Sequence, residues 1–302
     1  MNSVASVKDR LKNKMNETGK TMEQLLVTYG LERTIYRISV SSYADRFTLK
    51  GGIFLYAVFG GEFARMTTDI DLLAQKISND TEEMKKVFTD IFSIQTDDPL
   101  KYDLNSLDVR TITEFKEYHG VNVSITAFLD RTRIPIRIDI GYGDIIYPGR
   151  VLMEFPTVLD DDGPKIFAYS LESCIAEKFE AIVSLGYDNS RFKDYYDLYL
   201  LTGTYDFEGN KMQRAVKETF IHRKTSIEKE IVAFEEGFTE DPIRISRWNS
   251  FVKKKKTILT VSMKEAIDSI KVFIEPVVVS IRENRDFLSR WDHEKRSWNN
   301  SE

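Results

Sequence analysis

The sequence predicts an α/β protein in which a small mixed sheet is followed by a helical C-terminal domain. Several segments between residues 47 and 140 alternate apolar and polar residues or form short apolar runs, which is typical of strands. After residue 165, apolar residues recur at three- and four-residue spacings, which is typical of helices. An acidic loop at 155–164 separates the two patterns and predicts domains at 1–160 and 161–302.

The composition restricts the class of protein. With 302 residues, of which 42% are hydrophobic and 30% charged, the chain can bury a sizeable core in one large or two modest domains. The single cysteine, Cys174, excludes an internal disulfide, and the N-terminus lacks the pattern of a signal peptide. We therefore expect a cytoplasmic protein. No apolar run reaches the length of a membrane span, and the histidines and the cysteine offer no zinc-ligand spacing.

The charge of the chain is uneven. The formal net charge of −5 argues against a general nucleic-acid coat protein. Residues 241–302 nevertheless carry 13 Lys and Arg against 9 Asp and Glu. This modestly basic end fits a local contact with RNA and equally fits a solvated tail.

Two helices are predicted before the sheet. The first covers 4–15, and the second begins near Thr21 and runs to Ile38 with an apolar stripe. Arg33 and Arg37 lie one turn apart on the second helix, and we interpret them as part of a solvated face.

The middle of the chain predicts a capped helix followed by a hairpin. The helix begins after Asp80 and ends near Phe92, and the polar stretch 95–107 is interpreted as a loop. Pro135 indicates an edge strand or the beginning of a strand. Three strands are predicted, at 108–115 and 121–128, joined by a turn at His119-Gly120, and at 133–140.

The stretch from Phe47 to Leu73 carries the strongest chemical signal. A short extended run ends in Gly51-Gly52, an apolar helix follows, and Asp69 and Asp71 then flank one isoleucine. Alternate side chains of a strand share a face, so these two carboxylates point the same way and suit Mg²⁺, which proteins hold with one or two carboxylates plus substrate phosphates. The glycine pair leaves room for a phosphate at the start of the helix. An isolated D-x-D is more often a solvated strand end, but its link to the glycine pair favours the metal.

A lysine occupies the apolar stripe of the first C-terminal helix. The helix is predicted from Leu171 to Leu185 with a cap formed by Ser170, and Lys178 lies at the centre of its apolar face. Glu177 and Glu180 are interpreted as solvated. A buried lysine requires an anionic partner unless its ammonium group reaches the surface. We expect Lys178 to be imperfectly paired, so that its charge serves a ligand and Lys178→Met is neutral or stabilising.

The next helix carries Asp194 and Asp197 on one face, together with apolar residues. Two acids on such a face need partners, which Lys178, Arg191 or Lys193 could supply.

The remainder of the chain is predicted to be helical up to residue 283 and frayed from 284 to 302. The helix from Arg244 to Lys256 contains basic residues and Trp248. It is either a solvated face or a platform for a nucleic-acid acceptor. The predicted helices are 211–222, 244–256 and 262–283.

Three linked motifs resemble those of the AbiEii abortive-infection toxins and the related MenT toxins. They are K-G-G with an apolar helix and R-x-x-x-D-x-D, then A-E-K-F-E-A around Lys178, then R-x-K-D-x-x-D ending at Asp197. The resemblance runs from about Ser39 to the region of Trp248. It implies a nucleotidyltransferase-like fold of the DNA polymerase β superfamily and transfer from a nucleoside triphosphate to RNA, with the tRNA 3′ end as the expected acceptor. It also implies Mg²⁺ or Mn²⁺ as cofactor and a cognate antitoxin as partner.

The resemblance assigns roles to individual residues. Asp194 is implied to be needed for activity, whereas Asp197 is equally well a structural partner. Gly52 stands where the wider superfamily often has a serine, so Thr67, Thr68 or backbone N–H groups would take over the phosphate contact. Asp139 is the implied third metal ligand, and Asp144 is a weaker candidate for the same role. The implied metal ligands are Asp69, Asp71 and Asp139; the implied catalytic residues are Asp69, Asp71, Lys178 and Asp194; and the implied nucleotide contacts are Lys50, Gly51, Gly52, Arg65, Thr68 and Lys178.

Two alternatives remain open at this point. The same site could nucleotidylate a protein or act as a phosphotransferase. The chain could also be a non-catalytic module that binds a nucleotide or a partner protein, which predicts metal-dependent nucleotide binding without turnover.

Overall fold

The computed structural model describes residues 3–61, 67–112, 120–159, 162–254 and 261–299. The helices are α1 (Val4–Thr18), α2 (Met22–Val40), α3 (Gly51–Val58), α4 (Thr81–Phe92), α5 (Leu171–Leu185), α6 (Phe192–Thr202), α7 (Gly209–His222), α8 (Glu236–Thr239), α9 (Pro242–Lys254) and α10 (Met263–Arg282). The strands are β1 (Phe47–Lys50), β2 (Ile70–Ala74), β3 (Lys101–Ile112), β4 (Gly120–Leu129), β5 (Thr132–Tyr142), β6 (Val151–Glu154), β7 (Lys165–Ala168), β8 (Phe207–Glu208), β9 (Arg290–Asp292) and β10 (Ser297–Asn299).

These elements form two compact units. Unit 1 comprises Met1–Gly143 and Val151–Ala168, and unit 2 comprises Asp144–Arg150 and Tyr169–Glu302. Unit 1 contains a seven-stranded mixed sheet in the order β3-β4-β5-β2-β1-β7-β6. Strand β2 runs parallel to β5 and antiparallel to β1. The predicted α/β class with a mixed sheet is confirmed, and the sheet extends along the chain as far as Ala168.

One face of this sheet forms the core of unit 1. In β4 and β5 every second residue is buried, and these residues are mainly Val and Ile. Helix α2 packs on this face so closely that a Cβ on Gly30 would lie 2.7 Å from the Ile134 side chain. Pro135 pairs with Thr126 of β4, whereas β2 joins β5 only from Ile138 onward, so at the proline the strand has a neighbour on one side only, which is the expected edge position.

The polar stretch 95–107 is not a loop throughout, because β3 already begins at Lys101. The strand lies at the edge of the sheet and pairs with β4 through an irregularity between Asp103 and Asp108. Most of its residues are exposed or half-buried. Because so few residues at the beginning of β3 are buried, the sequence there lacks the alternation of apolar and polar residues that identifies a half-buried strand.

Arg33 and Arg37 are buried, so their interpretation as a solvated face is wrong. The Arg37 guanidinium donates to both oxygens of Asp98, at 2.8 and 3.1 Å, and lies over the Tyr102 ring. Arg33 Nε lies 3.4 Å from Asp98 Oδ2. The tyrosine and the aspartate come from a segment far along the chain, and only the folded sheet brings them to α2.

Unit 2 is mainly helical, as predicted. Helix α5 packs against α6 and α7, and α10 packs against the same two helices. No helix among the described residues is long and apolar enough to cross a membrane.

The predicted fraying after residue 283 is wrong for 284–299, which are folded. Strands β9 and β10 form a three-stranded sheet with β8. Trp291 is fully buried and donates from Nε1 to the Thr202 carbonyl oxygen at 2.7 Å, and the Trp298 ring stacks on Phe273. Trp291 and Trp298 anchor this polar segment, because the apolar area that the two side chains bury outweighs the polarity of the neighbouring residues.

Some predicted features lie outside the described residues. They are the end of the first hairpin strand with the turn that follows it (113–119), Asp160 and Asp161 of the acidic loop, Arg65, Lys255 and Lys256.

Candidate active site

The glycine pair joins β1 directly to α3. Gly51 has a φ of +65°, a conformation that residues with a side chain rarely adopt, and a Cβ there would overlap the carboxylate of Asp71. The backbone N–H of Gly52 donates to Asp71 Oδ2 at 3.2 Å. Asp71 is thus held at the N-terminal end of α3, where the helix dipole favours a negative charge.

Two aspartates lie on one face of the sheet of unit 1, and a third directly precedes a strand of that sheet. Asp69 directly precedes β2, and Asp71 lies two residues further along the chain, inside the strand. Strands β2 and β5 are parallel, with Asp71 directly opposite Asp139 in the register. The resemblance expects a third carboxylate on a strand beside the D-x-D strand, and Asp139 lies on such a strand.

Each of the three carboxylates has a hydrogen-bond donor close by. The Thr68 hydroxyl donates to Asp69 Oδ2 at 3.1 Å, and the Asn122 amide donates to Asp139 Oδ1 at 2.7 Å. Asp71 accepts from Gly52, as described above. All three carboxylates are half-buried, so they are accessible from solvent.

The donor set fits a magnesium ion held by one or two carboxylates and by substrate phosphates. Carboxylate oxygens on a shared face are hard ligands of the kind that Mg²⁺ prefers. Within the described ranges, no group of three or more His, Cys, Asp or Glu residues could hold a metal ion. A metal at this site would therefore need ligands beyond these carboxylates, such as substrate phosphates.

Of the residues implied to contact the nucleotide, Lys50 lies beside Asp71 and Thr68 lies beside Asp69. Lys50 lies opposite Asp71 in the antiparallel pairing of β1 with β2. The hydroxyl of Thr67 donates to the Asp69 carbonyl oxygen at 3.3 Å, and that of Thr68 to the Asp69 carboxylate. Both threonines, proposed as replacements for the missing serine, are therefore engaged with Asp69 in this structure.

In unit 2, Lys178 is paired with two aspartates. Its Nζ lies 3.2 Å from Asp194 Oδ1 and 2.7 Å from Asp197 Oδ2. Arg191 Nε lies 2.7 Å from the other oxygen of Asp194. Lys178 and both aspartates are buried, so the expectation of an imperfectly paired lysine is wrong. The helical spacing predicted the shared face correctly, but it could not show that two aspartates converge on one ammonium group.

Glu180, predicted to be solvated, is fully buried. Arg223 Nη1 lies 3.0 Å from Glu180 Oε2, and Arg223 Nη2 lies 3.0 Å from Asp144 and 3.2 Å from Glu177. Burial lowers the pKa of Arg223, but Glu177, Asp144 and Glu180 together raise it above its usual value. Asp144, the alternative to Asp139, thus belongs to a group of carboxylates around Arg223. Its members Glu180 and Asp144 lie 43 and 79 residues from Arg223 in the sequence.

The basic helix α9 is largely occupied with contacts inside unit 2. Trp248 is fully buried and donates from Nε1 to the Val261 carbonyl oxygen at 2.8 Å, so its ring is not available to stack on a base. The Arg244 guanidinium lies 4.1 Å from the centre of the Phe238 ring and donates to the Asn189 carbonyl oxygen. Arg247 and Lys253 are exposed.

Sequence reasoning missed Asn122. The alternation of β4 places it on the polar face of the hairpin, which was visible from the sequence. Its position opposite Asp139 follows only from the register of β4 against β5. The sequence therefore indicates that Asn122 lies on the polar face, but only the strand register shows that it lies opposite Asp139.

The sequence matches one protein family, and the fold is similar to that of solved structures. Residues 33–269 match the family described as nucleotidyl transferase AbiEii toxin, type IV toxin–antitoxin system. The fold is similar to that of MenT4, a nucleotidyltransferase toxin from Mycobacterium tuberculosis, with a TM-score of 0.50 and 13% identity over 90% of this chain and 98% of that one. JHP933 from Helicobacter pylori gives a TM-score of 0.49 and 14% identity over 86% of this chain and 94% of that one. No curated protein matches the sequence.

Proposed function

This chain belongs to the AbiEii family of nucleotidyl transferase toxins, and we propose that it moves a nucleotidyl group from a nucleoside triphosphate to a hydroxyl group of RNA, at the 3′ end of tRNA. The observation that supports the proposal is the alignment of Asp71 and Asp139 on adjacent strands, beside the glycine pair that begins α3. A type IV toxin–antitoxin family also implies a cognate antitoxin as partner. We further propose that 1–160 forms the transferase domain and 161–302 the helical domain.

Asp69 and Asp71 would hold Mg²⁺, with Asp139 as a third ligand. When bound, the ion neutralises negative charge on the phosphates as pyrophosphate leaves. Lys50 and the N-terminal end of α3 bind the phosphates, because a helix start favours anions, while the Gly52 N–H stays on Asp71. In the same proposal Arg65 and Thr68 contact the nucleotide.

In this proposal Asp139 takes the proton of the attacking hydroxyl. Its Oδ1 accepts from Asn122, which leaves Oδ2 to face a second hydrogen-bond donor such as the hydroxyl of the acceptor. Asn122 thereby orients the carboxylate without a competing charge. This division of the two oxygens is the contribution of the protein to the proton transfer.

Lys178 and Asp194 take their proposed roles from the family motif. Lys178 would contact the triphosphate as a compact positive charge by exchanging one of its two aspartate partners for a phosphate, and Asp194 would orient it. The pairing in unit 2 supports the second role directly, because Asp194 and Asp197 fix the position of the ammonium group.

The test is incubation of the protein with total RNA, Mg²⁺ and each α-labelled triphosphate in turn, followed by separation of RNA from protein. Label in small RNA, lost in Asp71→Asn, is the expected result. Label only on protein would replace the RNA acceptor by a protein acceptor. Tight triphosphate binding without any labelled product would indicate a non-catalytic module and overturn the proposal.

A further inference from the structure

A row of polar residues crosses five neighbouring strands of unit 1. The register pairs Lys50 with Asp71, Asp71 with Asp139, Asp139 with Asn122, and Asn122 with Arg110. Paired residues share a face of a sheet, so all five side chains belong to the polar face. The two carboxylates occupy the middle of the row, and a cation stands at each end.

Strands β5, β4 and β3 form the part of this polar face that we term the open face. The row that includes Asp139 continues through Asn122 to Arg110, and the neighbouring row contains Arg137, Ser124 and Asp108. Arg137 and Arg110 are exposed, whereas the residues on the opposite face of β4 and β5 are buried in the core. The open face therefore presents its charges to solvent.

The cations of the open face differ in how they are engaged. Arg110 Nε lies 2.6 Å from Asp108 Oδ2, in a pair that is mostly exposed. Arg133 lies 5.9 Å from the centre of the Phe128 ring. Arg137 makes no hydrogen bond or ion pair with the part of the chain that the structure describes. The acids on these strands are Asp103, Asp108 and Asp139, and the bases are Lys101, Arg110, Arg133 and Arg137.

Arg137 also has a fixed relation to the carboxylate row. It precedes Asp139 by two residues on the same strand and the same face, which corresponds to about 7 Å along the strand. A guanidinium at this distance can bind the phosphate next to a hydroxyl held at Asp139.

The chemistry of the transfer selects the side from which the acceptor arrives. In phosphoryl and nucleotidyl transfer, the attacking and leaving oxygens lie on opposite sides of the phosphorus. The glycine pair and Lys50, proposed to bind the leaving pyrophosphate, lie on the β1 side of Asp71. The acceptor hydroxyl then comes from the β5 side, where the open face begins.

We propose that the open face binds the polynucleotide strand whose terminal hydroxyl is the acceptor, with Arg137 as the principal phosphate contact and Arg110 as a second one. The inference rests on the proposed nucleotidyl transfer. Charge complementarity supports a phosphodiester chain, since four bases face three acids and one of those acids belongs to the catalytic row. Helix α9, the earlier candidate, has its tryptophan and Arg244 engaged inside unit 2.

The experiment measures binding of a short single-stranded RNA with a free 3′ hydroxyl, labelled with fluorescein at its 5′ end, by anisotropy over a range of salt concentrations. For Arg137→Gln we expect roughly fivefold to tenfold weaker binding and a salt slope smaller by about 1. Arg137→Lys, which keeps the charge, should retain most of the slope. Arg247→Gln on α9 removes an exposed arginine of the same type and should leave both values unchanged.

Three outcomes would overturn the proposal that the open face binds RNA. They are equal affinity and slope for Arg137→Gln and the wild type, a loss confined to Arg247→Gln, or absence of RNA binding by the wild type. The affinity for Mg²⁺-triphosphate should not change in Arg137→Gln, and loss of that affinity would assign the arginine to the nucleotide instead. Failure of the proposed function is distinguishable, because a wild type that binds RNA through Arg137 but transfers no nucleotide refutes the transfer and keeps the surface.

Discussion

The two units each hold a pair of neighbouring aspartates, and the pairs differ in what surrounds them. Asp194 and Asp197 of unit 2 are buried, and Lys178 and Arg191 place positive charge against them. Asp71 and Asp139 of unit 1 are half-buried, and amide groups of Gly52 and Asn122 donate to them.

The difference separates charge that stabilises a fold from charge that is available to a ligand. A buried ion pair is compensated internally, and removal of one partner leaves the other uncompensated. An amide donor orients a carboxylate without cancelling its charge, so the hydrogen bonds from Gly52 and Asn122 do not neutralise Asp71 and Asp139.

The largest expected effect is on catalysis in unit 1. Asp71→Asn should lower transfer by roughly a thousandfold or more, because it removes one of two charges that would hold the metal. Its amide oxygen can still accept from Gly52, so the melting temperature should stay close to that of the wild type. Transfer assays beside thermal melts measure both. Residual turnover near the wild-type level at saturating Mg²⁺ would refute the metal role.

The second expected effect is on the stability of unit 2. Lys178→Met should destabilise the protein by about 3–5 kcal/mol, since it leaves Asp194 and Asp197 buried without their cation. This reverses the expectation from the sequence, where an imperfectly paired lysine predicted a neutral substitution. Combination of Lys178→Met with Asp194→Asn and Asp197→Asn should recover most of the loss in urea unfolding. An unchanged midpoint in the single variant would show that the pair is not stabilising.

The third effect separates strain of the backbone from contact with the carboxylate. Gly51 and Gly19 have nearly the same φ, +65° and +67°, but a Cβ on Gly51 would overlap Asp71 whereas a Cβ on Gly19 would meet nothing. Gly19→Ala should cost about 1–2 kcal/mol and leave transfer intact. Gly51→Ala should cost more and also abolish transfer by displacing Asp71. Equal costs with equal activity would remove the special role of Gly51.

The smallest effect concerns the thiol beside Lys178. Burial raises the pKa of Cys174 from its ordinary 9.0 to about 12. Between these values the unfolded chain loses a proton that the folded protein keeps, so stability falls as the pH rises above 9. Relative to Cys174→Ala, the wild type should lose about 1 kcal/mol between pH 9 and pH 10. Parallel unfolding curves for both proteins over this range would show that the thiol is not sheltered.

Local structure was predictable wherever the deciding residues are neighbours in sequence. The Ser170 cap and the bounds of α5 follow from the helical spacing, and the hairpin of β4 with its alternating burial follows from the period of two. The solvated or buried state of a charged residue was not predictable, because it depends on partners that the fold supplies. Arg37 finds Asp98 across 61 residues, and Glu180 finds Arg223 across 43.

The residues of the candidate site divide in the same way, into those fixed by local spacing and those fixed by strand pairing. The spacing of Asp69 and Asp71 is local and was predicted from the sequence alone. The position of Asp139 opposite Asp71 is a property of strand pairing, and its assignment depended on resemblance to a family until the register was known. Asn122 depended on the same register and was missed.

The aromatic anchoring of the C-terminal segment has a spectroscopic consequence. All three tryptophans of the chain, Trp248, Trp291 and Trp298, belong to unit 2, and each donates from its indole nitrogen to a backbone carbonyl oxygen. Tryptophan emission therefore follows the unfolding of unit 2, whereas far-ultraviolet circular dichroism follows the helices and strands of the whole chain. Coincident curves from the two signals would indicate that the units melt together, and separated curves that each melts as its own cooperative body.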